Sequence, residues 1–181
     1  MEYKEITPSN LKEGVWNEKT CIRRTAGFDI DKTNLPADMK YLPKGAVLAL
    51  DANGEKVVLV KGAKVYEAAQ SGATTIKIEK DNAIIVGDVI GGLTVSAIDK
   101  SANAYDVITV GSTSSKLEAG DALVDANGAK AIGLNYATVK LDSYPSCTPT
   151  IQAYEIQEDS LPYAINDEIK EALTSRHDWA I

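Results

Sequence analysis

From Gly45 onward the chain is a succession of short apolar runs cut by polar turns, beginning with Ala46-Val47-Leu48-Ala49-Leu50, then Asp51-Ala52-Asn53-Gly54, then Val57-Val58-Leu59-Val60. Asn-Gly between two apolar runs predicts a hairpin, because both residues tolerate the positive φ of a type I′ turn. Further β-branched runs predict strands near 63–67, 74–79, 84–86, 93–98, 105–110, 122–125, 129–133 and 138–141. Gly91-Gly92, Lys100-Ser101-Ala102-Asn103 and Gly111-Ser112 supply the breaks. Strands this short and evenly spaced predict a mainly β fold, a small closed or distorted barrel rather than alternating βαβ units.

The pattern repeats itself. Ile76-Lys77-Ile78 leads to Val86-Gly87-Asp88-Val89-Ile90, and Ile108-Thr109-Val110 leads to Ala119-Gly120-Asp121-Ala122-Leu123. A second echo links Asp51-Ala52-Asn53-Gly54 to Asp125-Ala126-Asn127-Gly128. Glycine lets the backbone turn sharply at the end of a strand, and the following carboxylate can accept backbone N–H bonds that fix the corner. Asp88 and Asp121 are therefore expected to be structural.

Residues 1–44 lack a sustained period and contain Pro8, Pro36 and Pro43, so they read as an extended N-terminal arm. Its scattered apolar anchors, Leu11, Val15, Trp16, Ile22, Phe28 and Ile30, suit a segment lying along a surface, its own or a neighbour's. A long arm without regular structure is uncommon in a lone compact domain, which favours an assembly partner. Residues 45–144 form the predicted barrel core with its internal repeat, and 145–181 a C-terminal strand and helix. The strand is expected at 151–156. The helix is expected over 162–174, announced by Pro162, with acidic Asp167 and Glu168 early and Ile165, Ile169, Ala172 and Leu173 along one stripe. Trp179 and Ile181, so close to the end, predict a docked tail.

Candidate chemistry is sparse. His177 is the single histidine, and its place at the end of the chain is a poor support for a catalytic base. Cys21 and Cys147 lie in unlike contexts and predict free thiols of a reducing compartment rather than a disulfide framework. One histidine and two distant cysteines cannot build a typical zinc site. Val86-Gly87-Asp88-Val89-Ile90-Gly91-Gly92 lacks the lysine of a phosphate loop. The Asp-Ala-Asn-Gly turns resemble fragments of calcium loops, yet the twelfth position holds Gly62 or Tyr136 where a glutamate is needed. Arg23-Arg24 reads as a solvated face of the arm. No catalytic residue, cofactor-binding residue or metal ligand is assigned, and no cofactor is expected.

The net charge of −7 opposes nucleic-acid binding, which needs clustered Lys and Arg. Residues 146–181 carry seven acidic side chains against two basic ones, which concentrates the acidity in the tail. The amino terminus has no basic and apolar leader, and no run approaches the roughly 18 apolar residues of a membrane span. A soluble protein without secretion signal or membrane partner is expected.

Leu42-Pro43-Lys44-Gly45-Ala46-Val47-Leu48, Thr75-Ile76-Lys77-Ile78 leading to Val86-Gly87-Asp88, Ala97-Ile98-Asp99-Lys100 before Tyr105-Asp106-Val107-Ile108, and Ala119-Gly120-Asp121-Ala122-Leu123 resemble bacteriophage head fiber proteins, capsid decoration proteins of tailed phages and prophages. The likeness covers about residues 40–175, including the helix after Leu161-Pro162. It implies a virion structural protein, not an enzyme, made in the bacterial host cytoplasm and sited on the capsid surface. Its partner would be the major capsid protein lattice, and its state a homotrimer. The Gly-Asp corners also look like those of cradle-loop barrels, a likeness of fold alone.

Two other classes are open. A carbohydrate- or surface-binding adhesin module would need an exposed aromatic platform, for which Tyr105, Tyr136, Tyr144 and Tyr154 are the candidates. An enzyme would need Asp88 and Asp121 as paired carboxylates, without any supporting acid/base constellation.

Overall fold

Val47–Leu50 and Val57–Leu59 form the central hairpin of the molecule, and their unbroken apolar character has a structural reason. A half-exposed strand alternates apolar with polar residues, whereas a strand covered on both faces need not. Here both faces are covered. Leu48 lies opposite Leu59 and Ala49 opposite Val58, so the two side-chain sets separate cleanly. Val47, Ala49, Val58 and Val60 enter one core with Leu134, Ala153, Ile156 and Ile169. Leu48, Val57 and Leu59 enter a second with Ile30, Leu35, Leu42 and Tyr163. Ala131–Leu134 completes a three-stranded sheet beside Val47–Leu50.

The computed structural model describes residues 14–25, 27–142 and 144–180. Within it, residues 62–124 form an insert with its own core of Val65, Ile76, Ile78, Ile90, Ile108 and Leu123, among others. Thr75–Glu79 and Tyr105–Thr109 bury alternate residues, as one-sided sheet strands do, and pair with Ile76 opposite Ile108. Ala97–Asp99 extends this sheet, Val89–Ile90 pairs with Leu93–Thr94, and Gly62–Lys64 pairs with Ala122–Val124 at the base of the insert.

The fold is mainly β with one short α-helix among the described residues, as expected. Among the described residues the strands are distributed over seven sheets of two or three strands, and no closed barrel is found. Backbone donors that a ladder would use are often taken by side chains instead. Over 84–86, where a strand is predicted, Ile84 N–H donates to Asn82 Oδ1 and Ile85 N–H to Asp88 Oδ2, so the paired strand begins only at Val89. The run 93–98 splits into Leu93–Thr94 and Ala97–Asp99, and the run at 129–133 starts as a 3₁₀ turn, Gly128–Lys130, before the strand Ala131–Leu134.

The central hairpin also turns differently from expectation. Its loop runs from Asp51 to Lys56, whose carbonyl accepts from Asp51 N–H. Asp51 Oδ1 accepts from Glu55 N–H at 2.8 Å and Lys56 N–H at 3.2 Å, and Gly54 alone in the loop has a positive φ. An aspartate-capped loop replaces the two-residue type I′ turn because the side chain offers these donors a better partner than the opposite strand.

The described part of the arm, residues 14–44, lies along its own chain. Ile22–Arg23 pairs with Thr150–Ile156, Phe28–Asp29 with Ser146–Cys147, and Tyr41–Leu42 with Val139–Lys140. Val15, Trp16 and Ile30 are buried, while Ile22 is 49% exposed. Pro8 and Leu11 lie outside the described residues.

The helix is shorter than its stripe predicts and spans Asp167–Ala172. Asn166, not Pro162, starts it: the Asn166 side chain accepts from Ile169 N–H at 3.1 Å. Residues 161–165 stay non-helical, bending at 161–163, which lets Leu161 and Ile165 reach the first core and Tyr163 the second. Ile169 and Leu173 face the first core as their spacing requires. Beyond the helix Thr174 sits at φ 63°, and His177–Trp179 then docks in parallel on Thr150–Ile156. Ile181 lies outside the described residues.

His177 closes this tail. Its Nδ1 is 2.8 Å from the Leu173 carbonyl, which only accepts, so Nδ1 carries the proton. Nε2 then accepts from the Thr150 hydroxyl at 3.0 Å, and that hydroxyl oxygen accepts from Leu134 N–H at 3.0 Å. Burial holds the imidazole below its ordinary value of 6.5, partly offset by the Leu173 bond. The unfolded chain therefore binds a proton near pH 6.5 that the folded chain refuses, and stability falls as pH drops through this range. Urea unfolding between pH 7.5 and 5.5 should show this slope, at most about 1.4 kcal/mol per pH unit for the one proton. His177→Gln should flatten it, and an unchanged slope in that variant would refute the assignment. Thr174→Gly should raise stability by about 1 kcal/mol, because a β-branched residue is strained at positive φ; a loss in the same unfolding measurement would contradict this.

Candidate functional site

The two Gly-Asp corners are built alike. Gly87 and Gly120 take φ of 97° and 92°, values that suit glycine. Asp88 Oδ2 accepts from Ile85 N–H at 2.7 Å while Asp88 N–H donates to the Ile85 carbonyl at 3.2 Å. Asp121 Oδ2 accepts from Glu118 N–H at 2.7 Å while Asp121 N–H donates to the Glu118 carbonyl at 3.2 Å. Each carboxylate thus closes its own turn, and the two have no hydrogen-bond partner in common.

The corners differ in one respect that sequence reading missed. Lys61 is only 1% exposed, and its ammonium donates to both Asp88 oxygens, at 2.8 and 2.6 Å. Its backbone stands at the entry to the insert, where Lys61 N–H donates to Asp125 Oδ2 at 3.1 Å and the Lys61 carbonyl accepts from Asp125 N–H at 2.9 Å. Asp125 is the first residue of the second Asp-Ala-Asn-Gly turn, and its Oδ1 also accepts from Asn127 N–H at 2.9 Å. Burial pushes the Asp125 carboxyl above the ordinary carboxylate value, opposed by these backbone bonds. The available signal for Lys61 was a lone charge abutting the apolar run Val57–Val60.

The other sequence candidates are dispersed. Cys21 and Cys147 are free thiols. Burial pushes Cys147 up to about 12, and burial with the nearby Glu18 carboxylate pushes Cys21 to about 11, so neither is an activated nucleophile. Arg23 stacks over Tyr136 and Arg24 over Phe28. Of the four tyrosines, Tyr105 contacts Tyr66, with ring centroids 5.2 Å apart, and Tyr136 contacts Trp16. Tyr144 is 94% exposed and Tyr154 partly exposed, and no ring contact joins the four to one another. Among the described residues no group of three or more His, Cys, Asp and Glu is placed to hold a metal ion, and no helix is long and apolar enough to cross a membrane.

Two clefts flank one turn of the insert, Glu79–Asn82. The larger, about 360 Å³, is bounded by Pro36–Tyr41 of the arm, Lys80–Ala83, Lys100, Asp106 and Tyr163. The smaller, about 240 Å³, lies toward Lys64, Glu158 and residues 161–165. Asp106 is the polar anchor of this region. It takes the inward place opposite Ile78, is 2% exposed, and accepts from Lys80 Nζ at 2.5 Å and Asn82 Nδ2 at 2.9 Å. Lys80 Nζ also donates to the Lys100 carbonyl at 3.0 Å, and Asn82 Nδ2 to the Glu79 carbonyl at 2.9 Å. The turn is therefore locked from both sides, with Asp81 at its tip held at φ 59°.

Removing Asp121 deletes only a corner, whereas removing Asp88 also strands a buried ammonium. Asp121→Ala should cost about 1 kcal/mol, and Asp88→Ala about 3–5 kcal/mol, in urea unfolding at neutral pH. Equal losses would show that Lys61 does not depend on Asp88.

Comparison with known proteins finds no family model, no curated protein and no solved structure that matches the chain.

Proposed function

We propose that this protein is a bacteriophage or prophage virion structural protein, a head fiber or capsid decoration module. It binds the outer surface of the major capsid lattice as a homotrimer and performs no catalysis. The observation that carries the reading is the pair of Gly-Asp corners, the repeated motif on which the resemblance rests, built with matching hydrogen bonds at Asp88 and Asp121. Residues 45–144 are read as a distorted barrel, a reading supported by the isolated pairings Val65 with Ile78 and Ile90 with Asp125 between its small sheets.

The physical logic is that of a shape. Aliphatic cores and side-chain-capped turns make a stiff body, and an acidic surface keeps whole particles soluble and mutually repelling. On a lattice, many weak contacts sum to firm attachment. The alternative, a carbohydrate- or surface-binding adhesin module, is favoured by the partly exposed Tyr66–Tyr105 pair, with Lys77 Nζ 4.9 Å from the Tyr105 ring centroid.

The test is immunogold electron microscopy of tailed-phage particles induced from the bacterium that encodes the chain, with mass spectrometry of the same purified virions. Regular labelling of heads is expected, together with trimer mass by light scattering at high protein concentration. Purified virions that lack the protein would sink the capsid reading, and a monomer over the whole concentration range would sink the trimer.

A further inference from the structure

The larger cleft beside Lys80–Ala83 has a wall structure that a merely structural hollow does not require. Its apolar floor comes from Met39, Ala83 and the Tyr163 ring, contributed by the arm, the insert and the C-terminal segment. Around this floor stand Asp38, Lys40, Asp81 and Lys100, whose charged ends make no hydrogen bond or ion pair. The Lys80 ammonium has three protons and spends two, on Asp106 and the Lys100 carbonyl, so one N–H is left to a ligand. Asp106 neutralises Lys80, and the four free rim charges cancel. At about 360 Å³ the cleft lies in the range of small-molecule sites, roughly 300–1,000 Å³.

These features select a ligand class. A phosphate or carboxylate would meet Asp38 and Asp81 as well as the lysines, and a cation would meet Lys40 and Lys100 as well as the aspartates. An uncharged polyol suits both, because each hydroxyl donates to a carboxylate and accepts from an ammonium. The floor suits the C–H face of a sugar ring, which packs against an aromatic side chain and aliphatic carbons. Asp81 is held at φ 59°, a conformation unusual for a residue with a side chain, and its place at the tip of the turn puts this residue on the rim of the cleft.

We infer that the cleft between the arm and the insert is a binding site for a neutral saccharide, with Asp38, Asp81, Lys100 and the third Lys80 N–H bonding its hydroxyls and Tyr163 packing on its ring. The inference does not rest on the capsid reading, because it uses none of the corner or lattice arguments. It holds for a virion protein and for a surface module alike.

The full chain is screened on an array of neutral and acidic glycans, and hits are measured by calorimetry and ligand-observed NMR. At least one neutral glycan should bind, and Asp81→Gly and Lys100→Met should each weaken it about ten-fold or more, the size of a lost charged hydrogen bond. Asp81→Gly suits the positive φ, so it removes the carboxylate while its thermal midpoint stays at or above that of the parent chain. Three outcomes overturn the inference: no neutral glycan binds, acidic glycans bind more tightly than neutral ones, or the two variants bind as the parent does. None of these bears on immunogold labelling of virions, and loss of that labelling leaves the cleft's result intact.

Discussion

The buried pair of Lys61 and Asp88 is the constraint around which the rest is arranged. An ammonium that is 1% exposed must find a carboxylate, and the partner lies 27 residues along the chain, inside a β-rich insert. The chain can place Asp88 there only if the corner at Gly87 closes and Val89–Ile90 pairs correctly. The same lysine's backbone zips to Asp125, which returns the chain to the central sheet. A single residue thus ties the entry, the interior and the exit of the insert. Misplacing any of the three leaves a charge without water or partner, a penalty that selects against alternative registers.

Much of this was legible in the chain. The mainly β character, the hairpin and the strands at 75–79 and 105–109 followed from β-branched runs and glycine breaks, and the repeat foretold two like corners. The misses share a cause. At Ile84 and Ile85, at the Asp51 loop and at Asn166, a polar side chain captured backbone donors, and this competition leaves no mark on apolar periodicity. The helix was overextended because its apolar stripe continues back through Leu161 and Ile165, where a bent, non-helical segment serves both cores.

The region between arm and insert was the least legible. Its residues come from positions 36–41, 80–83, 100, 106 and 163, separations that no local pattern encodes. Asp106 occupies an inward place in its strand, where Lys80 and Asn82, three strands' worth of chain earlier, turn back to meet it. The arm likewise read as a segment lying along its own surface or a neighbour's, since its three short strands are too brief to signal themselves and exist only through partners about a hundred residues or more away.

The zipped ends of the insert carry a consequence for the lineage of such a chain. Because Lys61 and Asp125 are hydrogen-bonded neighbours, everything between them leaves and rejoins the central sheet at one point. A tight two-ended junction is the geometry at which one segment can be exchanged for another, longer or shorter, without disturbing the strands that hold it. The two-faced hairpin would persist as a chassis. Different inserts mounted on it would give descendants of one scaffold different outer forms, so diversity is expected to concentrate between residues 62 and 124 while the surrounding framework stays recognisable.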